Sequence, residues 1–123
     1  MYSNLRSEKS INEKIVLKAF FKDKVLKKIH VTETCNYLND NLLQGEVASK
    51  YYFNKNALVY NSESWLTSNK ESKEILIGSN LELYWNEEKI IDWMSLGMTK
   101  LDGDNNLEKE YLNTIKYYKN QIN

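Results

Sequence analysis

The chain has 123 residues, 41% hydrophobic and 28% charged, which fits one globular domain and excludes a wholly disordered tail. Lys plus Arg and Asp plus Glu both number 17, so no bulk charge favours nucleic acid or a membrane. A single cysteine, Cys35, and a single histidine, His30, exclude an intrachain disulfide and the usual zinc sets, and no metal or cofactor is expected.

Residues 1–10 are polar and mixed in charge and read as a loosely ordered start to a single domain over 1–123. Residues 11–31 fit two patterns. As strands, Ile15, Leu17, Ala19 and Phe21 alternate with Val16, Lys18, Phe20 and Lys22, and a turn at Lys22-Asp23-Lys24 returns the chain along Val25, Lys27, Ile29 and Val31. As a helix, Ser10 and Glu13 form a capping box, with Ile11, Ile15, Ala19, Leu26 and Ile29 near one face. The β-branched and aromatic content favours the hairpin.

A helix is expected over 32–43. Thr32 would cap it, Cys35, Leu38 and Leu42 line one face, and Gly45 stands where a left-handed terminator is wanted. Beyond it, Lys50-Tyr51-Tyr52-Phe53 and Ala57-Leu58-Val59-Tyr60 flank Asn54-Lys55-Asn56, a hairpin loop. Glu74-Ile75-Leu76-Ile77 is expected to reach Leu81-Glu82-Leu83-Tyr84-Trp85 through a turn at Gly78-Ser79-Asn80. Asn86-Glu87-Glu88-Lys89 reads as a turn into a strand over 90–94 or as a helix start, and the unbroken meander favours the strand.

The last element is the plainest. Leu107, Tyr111, Ile115, Tyr118 and Ile122 recur at helical spacing, Glu108 and Glu110 lie in the first turns, and Lys116 and Lys119 lie near the end. Asn105 is placed to cap it. No repeat period or linker is visible. The expected class is α+β: one antiparallel sheet of hairpins packed with about two helices.

Few groupings point to chemistry. His30 and Cys35 are five residues apart, close enough for a thiol and its base, but no third orienting residue is identifiable. Asp102-Gly-Asp104-Asn-Asn106 has the alternating oxygens of a calcium loop, yet Leu107 and Asn113 stand where that loop needs glycine and glutamate. Glu87, Glu88 and Asp92 are a carboxylate cluster with no activating partner beside it. Residues 31–38 look like the first helix of a DNA-binding pair, but the following segment reads as strand and the only arginine is Arg6.

Charge and aromatics carry the remaining signal. Residues 1–31 hold eight basic and three acidic side chains, whereas residues 71–110 hold ten acidic side chains and four lysines. Nine tyrosines and three tryptophans are many for this length, and alternation must place Tyr84 and Trp85 on opposite faces of a sheet. The longest strictly apolar run, Ala57-Leu58-Val59-Tyr60, falls far short of the ~20 residues of a membrane helix, so no membrane partner and a reducing, cytoplasmic setting are expected. Abundant lysine, asparagine, isoleucine and tyrosine have AT-rich codons, which fits a bacterium or one of its phages.

These features lead to a non-enzymatic inhibitor or immunity-type protein, of the toxin-immunity or anti-defence kind. It would dock an acidic and aromatic face, drawn from Glu82, Tyr84, Trp85, Glu87, Glu88, Asp92, Trp93, Asp102 and Asp104, on a protein or ribonucleoprotein such as a nuclease or toxin. The alternative is a small nucleic-acid-binding regulator using Lys18, Lys22, Lys24, Lys27 and Lys28 of the segment 14–28. A homodimer is compatible with either.

Overall fold

In a computed structural model, residues 4–12, 14–36, 42–96 and 107–122 are described, the side chains of 4–12, 76 and 77 excepted. The strands are β1 (Asn4–Asn12), β2 (Ile15–Lys22), β3 (Val25–Asn36), β4 (Leu43–Asn54), β5 (Ala57–Asn69), β6 (Ile75–Asn86) and β7 (Lys89–Leu96). They form one antiparallel sheet in sequence order, β1 to β7, and α1 (Leu107–Ile122) follows. The class is α+β, but with one helix among the described residues rather than about two.

The expected hairpin over 11–31 forms as β2 and β3, and the segment after Asn86 continues as strand β7. The polar N-terminal segment contributes β1, paired with β2 from Asn4↔Lys22 to Asn12↔Ile15. The helix expected over 32–43 is absent from its described parts. Thr32 to Asn36 extend β3, and Leu43 opens β4. Three apolar positions over barely two turns give a weak helical stripe. Val31, Thr32 and Thr34 prefer extended backbone, and pairing on both sides, Val16↔Thr32 and Thr32↔Ala48, settles the competition. Gly45 terminates nothing; it sits buried within β4 opposite Cys35. The same extension removes the first helix of a DNA-binding pair.

The turn expected at Gly78-Ser79-Asn80 is also absent, because β6 runs unbroken through it. Gly78 lies opposite Leu66, whose Cδ2 is 3.2 Å from where a Cβ on Gly78 would stand. The glycine makes room for a neighbouring side chain and does not bend the chain.

The structure reveals an internal repeat that the sequence reading did not find. Three two-residue turns, Asp23-Lys24, Lys55-Asn56 and Glu87-Glu88, follow one another at intervals of 32 residues. In each, both residues have positive φ (52° and 66°, 51° and 68°, 50° and 65°), the mirror-image turn whose twist matches that of the strands. Two residues before each turn stands an aromatic ring, Phe21, Phe53 or Trp85, and beside it the pairing register slips by one. The slip leaves Lys27, Val59 and Ile91 as the extra residues of three bulges, again 32 apart. Thus β2–β3, β4–β5 and β6–β7 are three copies of one unit.

On one face the repeat buries Leu17, Ala19, Ile29, Val31, Tyr51, Phe53, Leu58, Leu81, Leu83 and Trp85, and α1 closes this layer with Tyr111 and Ile115. The helix crosses the hairpins. Tyr111 meets Trp85 of the third unit at 6.2 Å between ring centroids, Tyr118 meets Tyr51 of the second at 6.1 Å, and Ile122 shares a small cavity with Phe21 and Leu26 of the first. Sixteen helical residues span ~24 Å, the same as five strand spacings of ~4.8 Å, so the helix is just long enough to cover β2 through β7. Its first turn is fixed by Glu108, whose Oε2 accepts the Ile90 backbone N–H at 2.5 Å.

Candidate functional site: the uncovered face of the sheet

Alternation that sends Leu17, Ala19 and Phe21 under the helix sends Lys18 and Phe20 to the other face. No described helix covers that side. The register aligns one row across six strands: Phe20, Lys28, Tyr52, Tyr60, Tyr84 and Asp92. A second row beside it reads Lys18, His30, Lys50, Ser62, Glu82 and Met94. In the repeat, Phe20, Tyr52 and Tyr84 are one position, and the aromatic row follows from it.

The rings touch. Tyr52 and Tyr60 are 5.4 Å apart and Tyr60 and Tyr84 5.1 Å, both edge to face, while Phe20 lies 5.1 Å from His30. The Lys28 ammonium sits 4.6 Å from the Phe20 centroid and 5.5 Å from that of Tyr52, so the cation is held by two ring faces. At the opposite end, the Tyr60 hydroxyl donates to Glu82 Oε1 at 2.5 Å; burial, then the bond to Glu82, pushes its pKa up to about 12. Burial first, and then the charges of Lys28, Lys50 and Lys18, together lower the His30 pKa to about 4, so the ring is neutral at pH 7. The face is therefore bipolar: lysines over β2 to β4, carboxylates over β6 and β7, and stacked tyrosines between.

The residues expected to bind a partner do not share one surface. Glu82, Tyr84 and Asp92 lie on the uncovered face, Tyr84 being 38% exposed. Trp85 is 3% exposed in the core, where its Nε1–H donates to Asn61 Oδ1 at 2.6 Å, and it is unavailable as an anchor. Trp93, 44% exposed, pairs with Leu83 and faces the helix side, whereas Glu87 and Glu88 form a hairpin tip. Asp102 and Asp104 lie outside the described residues. Of the basic set, Lys18 and Lys28 reach the uncovered face, Lys24 is in a turn, Lys27 is a bulge residue and Lys22 ends β2.

His30 and Cys35 are an odd number of positions apart in β3 and so point to opposite faces, which separates the thiol from the imidazole. No group of three or more His, Cys, Asp or Glu among the described residues is placed to hold a metal. No described helix is long and apolar enough to cross a membrane.

A second polar cluster lies under the helix, in the central unit only. Where the outer units carry Leu17 and Leu81, the central one carries Ser49; where the first carries Ile29 and Val31, it carries Asn61 and Glu63. The helix answers with Tyr111, whose hydroxyl bonds to Glu63, while within β4 Ser49 bonds to Tyr51. Burial raises the Glu63 carboxyl above its ordinary pKa, and burial followed by the nearby Glu63 charge raises the Tyr51 and Tyr111 hydroxyls. Asn61 Nδ2 is buried and has no partner among the described residues. This cluster is sealed by α1 and serves to place the helix.

Compared with protein-family models, with curated proteins and with solved structures, the chain matches none.

Proposed function

We propose that the protein is a non-enzymatic binding protein of the inhibitor or immunity type that docks the uncovered face of its sheet on a protein target. The row Phe20, Tyr52, Tyr60 and Tyr84 carries this reading. Tyrosines offer large, stiff contact area at low entropic cost, which is why they recur at binding hot spots. Charges of both signs around them suit a protein surface, because opposite fields at the two ends of one face fix a partner's orientation. A toxin or nuclease made in the same cytoplasm, in a bacterium or an infected one, fits this role.

A second reading rests on the lysine end alone. Lys18, Lys28 and Lys50 interleaved with Phe20 and Tyr52 suit single-stranded nucleic acid, where bases stack on rings and lysines neutralise phosphate. Glu82 and Asp92 on the same face oppose it. The two readings part in a pull-down of tagged protein from its own cells or infected cells, washed at low and high salt. The expected result is one stoichiometric protein that survives high salt and is lost with Tyr52→Ala/Tyr84→Ala. Nucleic acid released by salt favours the second reading. A partner retained equally by the double variant rejects the uncovered face as the docking surface.

A further inference from the structure

The two rows of the uncovered face have a symmetry that a single copy does not use. Read from β2 to β7, one row runs aromatic, positive, aromatic, aromatic, aromatic, negative, and the other runs positive, imidazole, positive, polar, negative, apolar. A face that is basic at one end and acidic at the other complements itself when turned end for end. We propose that, until a target displaces it, this face is covered by a second copy of the chain, the two sheets packing face to face about a two-fold axis parallel to the strands.

The direction of the axis follows from the charges. An axis across the strands would set lysines on lysines. An axis along them, passing between β4 and β5, reverses the strand order of one copy over the other. In each row it then places Tyr52 over Tyr60 of the second copy, Lys28 over its Tyr84, Phe20 over its Asp92, and His30 over its Glu82. Lys18, Lys28 and Lys50 thereby surround a carboxylate, and four tyrosines meet at the centre. Such an interface is isologous: each contact occurs twice. Sheets stacked ~10 Å apart make the inner layer of an ordinary sandwich, with both helices outside.

The area sets the strength. The next row along the same face is Val16, Thr32, Ala48, Ser64, Asn80 and Leu96. With it, six strands and three side-chain rows cover roughly 24 Å by 20 Å, about 500 Å² per copy in projection and ~1,000 Å² for the pair, at the lower limit of specific interfaces. The dimer is therefore a weak, exchanging one, which a better-fitting target can open. The inference rests on reading this face as the docking surface, but its test reads mass and not target capture.

Two variants make the test. Lys28→Glu/Lys50→Glu turns the face acidic, and Glu82→Lys/Asp92→Lys turns it basic. Wild-type protein at high concentration should show twice the 14.6 kDa chain mass by light scattering and fall to monomer on dilution. Each variant alone should raise the dimer dissociation constant at least ~10-fold, the loss expected when close opposite charges become like charges. An equimolar mixture should restore the dimer, because the acidic face then meets the basic one; that recovery also shows both variants folded. Wild-type protein that stays monomeric up to about 1 mM, variants that dimerise as wild type does, or a mixture that stays monomeric would each overturn the inference. A monomer that still loses its target with Tyr52→Ala/Tyr84→Ala would overturn this inference alone.

Discussion

Tyr84 and Trp85 are neighbours in β6, and everything that differs between them comes from the face each one occupies. Trp85 is enclosed by the helix and tied to Asn61; Tyr84 stands among tyrosines with more than a third of its surface in contact with water. The covered face is assembled from aliphatic and aromatic groups that a helix must close, whereas the open face is a stacked, charged layer that no described element closes. Stability resides on the first, and the proposed function places recognition on the second, so the two should be separable by substitution.

The largest expected effect tests that separation. Trp85→Ala empties the centre of the layer and should cost ~3–5 kcal/mol in denaturant unfolding, whereas Tyr84→Ala should cost no more than ~1 kcal/mol while abolishing partner capture. Equal losses at the two positions would show that the open face also holds the fold together.

The next effect is a pH dependence of opposite sign on the two faces. Glu63 has its folded pKa raised by burial, so the folded state holds this proton more tightly than the unfolded chain does. Its contribution is complete below the unfolded value of 4.5 and is lost as pH rises through the folded one. Glu63→Gln should therefore unfold with a flatter pH profile above pH ~4.5 than the wild type. His30 on the open face acts in the opposite sense. Its folded pKa of about 4 lies below 6.5, so acidification from 6.5 toward 4 destabilises the wild type, and His30→Gln should remove that slope.

The smallest effect is a gain. Lys24 holds φ at 66° without being glycine or asparagine, and Lys24→Gly creates the Asp-Gly pair that this turn prefers. The substitution should stabilise the protein by roughly 0.5–1 kcal/mol and leave both faces unchanged.

How much of this was legible depends on which signals are local. The C-terminal helix, the hairpin at Lys55-Asn56 and the alternation over 81–85 each declare themselves within a dozen residues. The helix expected over 32–43 failed because its competitor was non-local: β2 and β4 flank Thr32 only once the sheet exists. The open face stayed hidden for the same reason. Tyr52, Tyr60 and Tyr84 are scattered in sequence, and only the register puts them in one row. A clue was nonetheless present. Ala19-Phe20-Phe21-Lys22, Tyr51-Tyr52-Phe53-Asn54 and Leu83-Tyr84-Trp85-Asn86 share a period of 32 but hardly a residue, since a bulge and a mirror-image turn constrain backbone shape and ring position more than side-chain identity.

Order along the sheet matches order along the chain, with consequences for how the molecule forms. Each strand needs only its predecessor, so ring closures are short and zippering can begin at any of three equivalent hairpins. α1 is the exception. It leaves the third unit and returns to the first, and no local event substitutes for its docking. The helix thereby clamps all three hairpins of the continuous sheet from one side, and a chain ending before Leu107 would be left with a ribbon of strands wet on both sides.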